Sequence, residues 1–310
     1  MARLLPTVVV IALLAATAAA FALTERAKLE LSPIYGTQPG QVFSPNSKVQ
    51  RLTVAHLRFH VRHAERIDVW IQSPKGQKVA DLLVNRSVRA KQELNLVWDA
   101  FTSAGIVVPD GVYHAVVKLT NSHRTIVLPS DITLDTKPPA ITVHPTTKYP
   151  IISPDGDGHA DVVRVPYRVS EPARAILLLR GKQVVLTHSS KPTGELVWNG
   201  KTNGRPLPPG RYALGVAAQD AAGNRSEGHV FAIVQIRYVT LARRRVVVRP
   251  GGRFAIRVST DAPRVQWRLH GRSGTLPRGT LHLRAPKQPG IYRLYVTAGN
   301  HSAAAAVVVA

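Results

Sequence analysis

Cysteine is absent from all 310 residues. That excludes a disulfide framework, cysteine-ligated zinc, a thiol nucleophile and an amino-terminal lipoprotein anchor. Acidic side chains are scarce, 18 against 41 lysines and arginines, for a formal net charge of +23. A soluble partner is therefore expected to be anionic rather than cationic. The chain also lacks a nucleophile elbow, a metalloprotease helix, a phosphate loop and a dinucleotide fingerprint. No Asp/Glu pair stands in a context that specifies glycosidase chemistry, and the short loops leave little material for a pocket. The expectation is a protein that is not an enzyme. Past residue 32 no apolar stretch keeps helical spacing for three turns. What is present is an apolar content of 45%, enough to build cores, with 22 glycines and 23 prolines to punctuate it.

The amino terminus reads as an export signal. Arg3 precedes an apolar run from Val8 to Leu23, broken only by Thr17, and Thr24, Glu25, Arg26 and Lys28 follow. Two outcomes stay open. Ala18-Ala19-Ala20 or Ala20-Phe21-Ala22 offers small residues to a signal peptidase, whereas from Leu4 the segment reaches about 20 residues, enough for an uncleaved membrane anchor. Both put the rest of the chain outside the cytoplasm. The run Ala303–Ala310 is too short to span a bilayer and alternates like a last strand.

Strand signals fill the remainder. Ala55, Leu57, Phe59 and Val61 share one face, and so do Val163, Val165, Tyr167 and Val169. Phe254, Ile256 and Val258 repeat the pattern, followed by Val265, Trp267 and Leu269. Turns such as Ser73-Pro74-Lys75-Gly76 and Arg180-Gly181-Lys182 separate the runs, so the fold class is all-β, built of β-sandwiches. Val97-Trp98-Asp99 recurs as Val197-Trp198-Asn199, and Pro109-Asp110-Gly111-Val112-Tyr113 as Pro208-Pro209-Gly210-Arg211-Tyr212. A spacing of about 100 residues is one sandwich. A shorter echo is Pro289-Gly290-Ile291-Tyr292, and the recurrent tyrosine fits a tyrosine corner, its ring buried and its hydroxyl returned to the backbone. Asp135-Thr136-Lys137-Pro138-Pro139 reads as a stiff joint, and no such spacer follows Ile236. The expected divisions are 1–31 for the export or anchor helix, then sandwiches over 32–136, 137–236 and 237–310, with the third docked closely on the second.

Four segments carry a resemblance. Ser153-Pro154-Asp155-Gly156-Asp157-Gly158, Trp198-Asn199-Gly200, Pro209-Gly210-Arg211-Tyr212 and Asp220-Ala221-Ala222-Gly223-Asn224-Arg225-Ser226 together resemble the Ig-like domain of flagellar hook-capping proteins. The likeness covers 140–236 well and 33–136 more loosely, since Ser47-Lys48 and Asn121-Ser122-His123 depart from the pattern. It implies tandem Ig-like or fibronectin-like sandwiches, without the hook-capping assembly segment. The order of export segment, two such domains and an Arg-rich third is similar to that of envelope proteins of high-GC actinobacteria.

Two groups of residues are candidate sites. Asp155, Asp157 and Asp161 stand at i, i+2 and i+6, a spacing that could wrap Ca²⁺, which takes six to eight oxygens. Against this, an EF-hand would want a carboxylate where His159 stands and a bidentate Glu where Pro166 stands; the alternative is an Asp-Gly turn without metal. No other cofactor is implied. His56 and His60 lie four apart on a strand, about 13 Å, too far to share an ion, and His63 faces the other side. The second group is basic. Residues 237–310 hold 14 basic side chains and one acid. Alternation turns Arg253, Arg257, Arg264, Arg268, Arg284 and Arg293 outward, as one guanidinium-covered sheet face. Such a face would take an anionic envelope polymer or lipid headgroups; a plain solvated surface is the competing reading. Nucleic acid is disfavoured by export and by the lack of interleaved stacking aromatics. The function expected is an extracytoplasmic stalk or scaffold, with an anionic-polymer module, or an accessory subunit of an extracellular enzyme, as alternatives. Expected partners are then the membrane, through the amino-terminal segment if it stays uncleaved, and an anionic envelope polymer or another envelope protein.

Overall fold

The computed structural model describes residues 4–29 and 31–310, with side chains from 8 to 21 and from 31 onward. Leu4–Leu29 is one helix. Its described side chains, Val8 to Phe21, are exposed and apolar apart from Thr17, whose hydroxyl donates to Leu13 O. Among the described residues no helix is long and apolar enough to cross a membrane. Arg3, and the side chains from Ala22 to Lys28 that bear on cleavage or anchoring, lie outside the described residues.

Beyond the helix the chain is strands, apart from a single 3₁₀ turn at Gln50–Leu52 among the described residues. It divides after Thr136 into two compact units. The first holds one core, which includes Ala55, Leu57, Phe59, Val61, Trp98 and Tyr113. A five-stranded sheet runs in the order Gln41–Phe43, Arg124–Leu134, Gly111–Leu119, Glu65–Gln72, Lys78–Val88, facing a three-stranded sheet of Ile34–Tyr35, Ala55–Val61 and Glu93–Trp98. All pairs are antiparallel except Gln41–Phe43 against Arg124–Leu134.

The second unit holds two further cores, one sandwich each, built on the same plan. In the middle sandwich the five-stranded order is Ile151–Ile152, His229–Ile236, Gly210–Gln219, Arg174–Leu179, Lys182–Leu186, with Ile141–Val143, Val163–Val169 and Thr193–Trp198 opposite. In the last it is Arg245–Val248, His301–Val309, Gly290–Ala298, Arg264–Leu269, Arg272–Pro277, with Thr240–Leu241, Arg253–Ser259 and Gly279–Arg284 opposite. Each again adds its first strand in parallel. The run ending at Ala310 is the strand His301–Val309.

The repeated residues do the same work in each copy. Tyr113 Oη donates to Pro109 O at 2.6 Å, Tyr212 Oη to Pro208 O at 2.8 Å, and Tyr292 Oη to Gln288 O at 3.0 Å. All three are tyrosine corners that span four residues and pin the entry to a central strand. Trp98 Nε1 donates to Phe101 O and Trp198 Nε1 to Lys201 O, each at 2.9 Å, so each buried indole keeps its polar atom satisfied. The third copy has no such tryptophan. Its hairpin at His270-Gly271 has positive φ at both residues, the backbone twist that a two-residue turn between antiparallel strands needs.

The last two sandwiches dock without a spacer. Tyr238, 8% exposed, lies flat on His301 with ring centroids 3.6 Å apart and planes 4° apart, and its hydroxyl donates to Leu207 O. Burial lowers the His301 pKa and raises that of Tyr238, so the stack consists of two neutral rings at neutral pH.

Candidate functional site

The acidic loop of the middle sandwich lies at this junction. Its hydrogen bonds follow from its Asp-Gly pairs. Asp161 Oδ1 accepts from Gly156 N at 2.7 Å and Oδ2 from Gly158 N at 2.8 Å, which leaves Asp161 bracing the loop from within. Ser153 N donates to Ala160 O and closes the loop. Asp155, 1% exposed, accepts from Ser153 Oγ at 3.1 Å and from Asp157 N at 3.3 Å. Asp157 Oδ1 accepts from His159 N at 2.8 Å.

The third carboxylate beside Asp155 and Asp157 is that of Asp261, from the last sandwich: one carboxylate oxygen from each of the three lies within 4.8 Å of the others. Asp161, which the spacing had grouped with Asp155 and Asp157, is outside this trio. Sequence reasoning missed Asp261 because it lies some hundred residues away. One signal for it existed: Asp261 is the single acid of residues 237–310. The Oδ2 atoms of Asp157 and Asp261 are buried with no hydrogen-bond partner. Among the described residues no Lys or Arg forms an ion pair with any of the three carboxylates; His159 Nδ1 lies 3.6 Å from Asp157, and Arg278 Nη1 donates to the main-chain carbonyl of Asp261 at 3.0 Å.

The Asp155 carboxyl is pushed up to about 6, first by burial and next by the neighbouring Asp157 charge; Asp261 adds to the rise and the Ser153 hydroxyl opposes it. An acid whose folded pKa exceeds its ordinary value of 3.8 binds protons more tightly folded than unfolded. Its stabilising contribution is full below the unfolded value and is lost as pH rises through about 6. In chelator, the melting temperature of the wild type at about pH 5, relative to that at about pH 7.5, should exceed the same comparison for Asp155→Asn, which removes the Asp155 contribution while the opposing one from His301 stays in both. Calorimetric melts of both proteins at the two pH values check this; equal slopes for the two would refute it.

Beside the acids opens a cleft of about 710 Å³ between the two sandwiches, lined by the apolar Ile151 and Ile152 and by Tyr238, as well as by Arg237, Arg257 and Arg278. Asp261 and Ser153 also line it.

The six arginines are all exposed, but they do not form one face. Arg253, Arg257 and Arg284 lie on the three-stranded sheet; Arg264, Arg268 and Arg293 lie on the five-stranded sheet across the core. Alternation separates inward from outward residues, and in a sandwich outward means two opposite directions. On the three-stranded face Arg253 stands directly across from Arg284. On the other, the Arg268 guanidinium lies over the Tyr295 ring, 5.3 Å from its centroid. The three histidines stay apart from any metal cluster: His60 stacks on Tyr35, with ring centroids 5.1 Å apart.

This architecture defines a tandem Ig/fibronectin-III-like β-sandwich protein. No family model matches the chain and no curated protein matches it, so the hook-capping likeness stands on its residues alone. Among solved structures, the fibronectin(III)-like modules of Clostridium thermocellum CbhA are similar at 11% identity, over 66% of this chain and 94% of theirs, with a TM-score of 0.37. The titin I-band fragment I67–I69 is similar at 12% identity, over 90% of this chain and 99% of its own, with a TM-score of 0.28. The four amino-terminal Ig domains of Dscam1 isoform 4.4 match at 15% identity over 89% and 73%, with a TM-score of 0.20.

Proposed function

We propose that this chain is a non-catalytic extracytoplasmic scaffold, three sandwiches presented outside the cell behind an apolar amino-terminal helix. The observation that carries the reading is the threefold use of one sandwich plan with tight turns. The exposed surface of Val8–Phe21, apolar apart from Thr17, supports export, because such a helix has no stable place in water. Protease added to intact expressing cells should degrade the chain without lysis. Amino-terminal sequencing then separates the two modes: a new terminus at Phe21 or Leu23 means cleavage, and an intact one means a retained anchor. Full-length protein in the cytosol, protected from protease, would sink the reading.

As a second reading we propose that the surface of the last sandwich takes anionic envelope polymer or lipid headgroups. Arg253 and Arg284 face each other across two strands, a like-charge pair that costs stability unless an anion lies between them. Exposed pairs contribute under about 1 kcal/mol each, so binding requires several contacts and collapses with salt. The full chain should therefore sediment with anionic wall polymer or anionic vesicles at low salt and be released at a few tenths molar, where the screening length falls below about 8 Å. Replacing Arg253, Arg257 and Arg284 by Gln should weaken binding stepwise, while changes at Arg264 and Arg293 on the opposite sheet should matter less. Equal binding to heparin, DNA and wall polymer, or none at physiological salt, would reduce the arginines to a solvated surface.

A further inference from the structure

We propose that Asp155, Asp157 and Asp261 together hold one Ca²⁺, and that the ion latches the last sandwich onto the middle one. The inference is independent of where the protein resides and of what its arginines bind. Three observations carry it. First, three carboxylates from two sandwiches converge, with an oxygen of each within 4.8 Å of the others. Ligands of one Ca²⁺ sit 2.3–2.6 Å from it, so two of them lie at most about 4.6–5.2 Å apart, and the mutual distances of the trio stay within that span. Mg²⁺ demands near-octahedral geometry at about 2.0–2.1 Å and gives up its water reluctantly, so a carboxylate cluster of this kind suits it less well.

Second, the arrangement is unfavourable as it stands. The Oδ2 atoms of Asp157 and Asp261 are sealed from solvent and accept no hydrogen bond. A buried carboxylate oxygen without a partner costs free energy, and like charges at this range add repulsion. In a chain of net charge +23, Arg278 comes as near as the Asp261 main-chain carbonyl, yet among the described residues no arginine or lysine forms an ion pair with the three carboxylates. Third, the last sandwich has a single acid, and that acid lies here. A surface requirement for charge would scatter acids; one acid set against two on the neighbouring sandwich is what a shared cation needs. The donors are all oxygen, the hard set that Ca²⁺ prefers, and Asp261 also lines the cleft beside them.

The backbone couples the site to the docking. Asn300 N donates to Asp155 O at 2.7 Å, so the ligand loop and the turn of the last sandwich are already joined beside the trio. The ion would cancel the repulsion that otherwise pushes Asp261 away from Asp155.

The test uses the full-length chain, stripped with chelator and titrated calorimetrically with CaCl₂. One site is expected, with Kd on the order of 10⁻⁴–10⁻³ M, the range of extracellular modules. Ca²⁺ at about ten times Kd should raise the melting temperature by roughly 3–6 °C. Asp261→Asn should weaken binding by at least about tenfold, as a ligand charge is lost. In chelator it should melt no lower than the wild type, because it also removes a like charge; a purely structural aspartate would show the reverse. Asp157→Asn should weaken binding likewise, which covers a folding failure of either variant. Absence of Ca²⁺ binding by the wild type, equal effects of Mg²⁺ and Ca²⁺, or unaltered affinity in both variants would each overturn the proposal.

Discussion

Gly299→Ala should part the two carboxy-terminal sandwiches. Gly299 is the first residue of the two-residue turn between Gly290–Ala298 and His301–Val309, with φ +52°. A Cβ there would collide with Asp155 O and lie 2.5 Å from Asp155 Oδ1. The carbonyl is main chain in a loop closed by its own hydrogen bonds, so it has no rotamer by which to yield. Overpacking of this kind costs about 1–3 kcal/mol, and the left-handed backbone adds about 1–2 kcal/mol for a residue with a Cβ. Gly271→Ala is the control. Its φ is +73°, with nothing within 4 Å of the added carbon, so it carries the backbone cost alone. Small-angle scattering should show Gly299→Ala more extended than either the wild type or Gly271→Ala. Proteolysis should open near residues 237–241 in Gly299→Ala only. Identical scattering from the two variants would mean that the junction does not depend on this contact.

Trp198→Ala should cost about 3–5 kcal/mol, the range for deleting a large buried aromatic. Trp198 is 2% exposed in the core of the middle sandwich, and its indole N–H satisfies Lys201 O. Domains of this size hold only about 5–15 kcal/mol in all, so the loss is a large share of the total. At roughly 2–4 °C per kcal/mol, the transition of the second unit should fall by about 6–20 °C. Trp198→Phe should recover most of the loss and leave a deficit of about 1–3 kcal/mol, from the Lys201 carbonyl that loses its donor. Chemical denaturation of the three proteins measures both steps. An alanine variant within 1 kcal/mol of the wild type, on the order of the ordinary surface substitution, would contradict the packing described.

Much of this protein was legible in the order of its residues. Ala55, Leu57, Phe59 and Val61 alternate with polar neighbours and are all buried, because a pleated strand with one wet face has a period of two. The recurrent tyrosines announced three corners, and Tyr113, Tyr212 and Tyr292 each return a hydroxyl to the carbonyl four residues back. These are local events, decided within a strand or a turn. Three matters were decided only by tertiary structure. The last sandwich repeats the five-plus-three plan of its neighbours although the tryptophan landmark is absent from it. The six arginines divide between two sheets, since alternation records only the distance from the nearest core and not which side of it a strand lies on. Asp261 meets Asp155 and Asp157, while Asp161, closer in sequence, turns inward to bind glycine amides of its own loop. That meeting depends on how two separately folded sandwiches dock, and no periodicity within either one encodes the surface of the other.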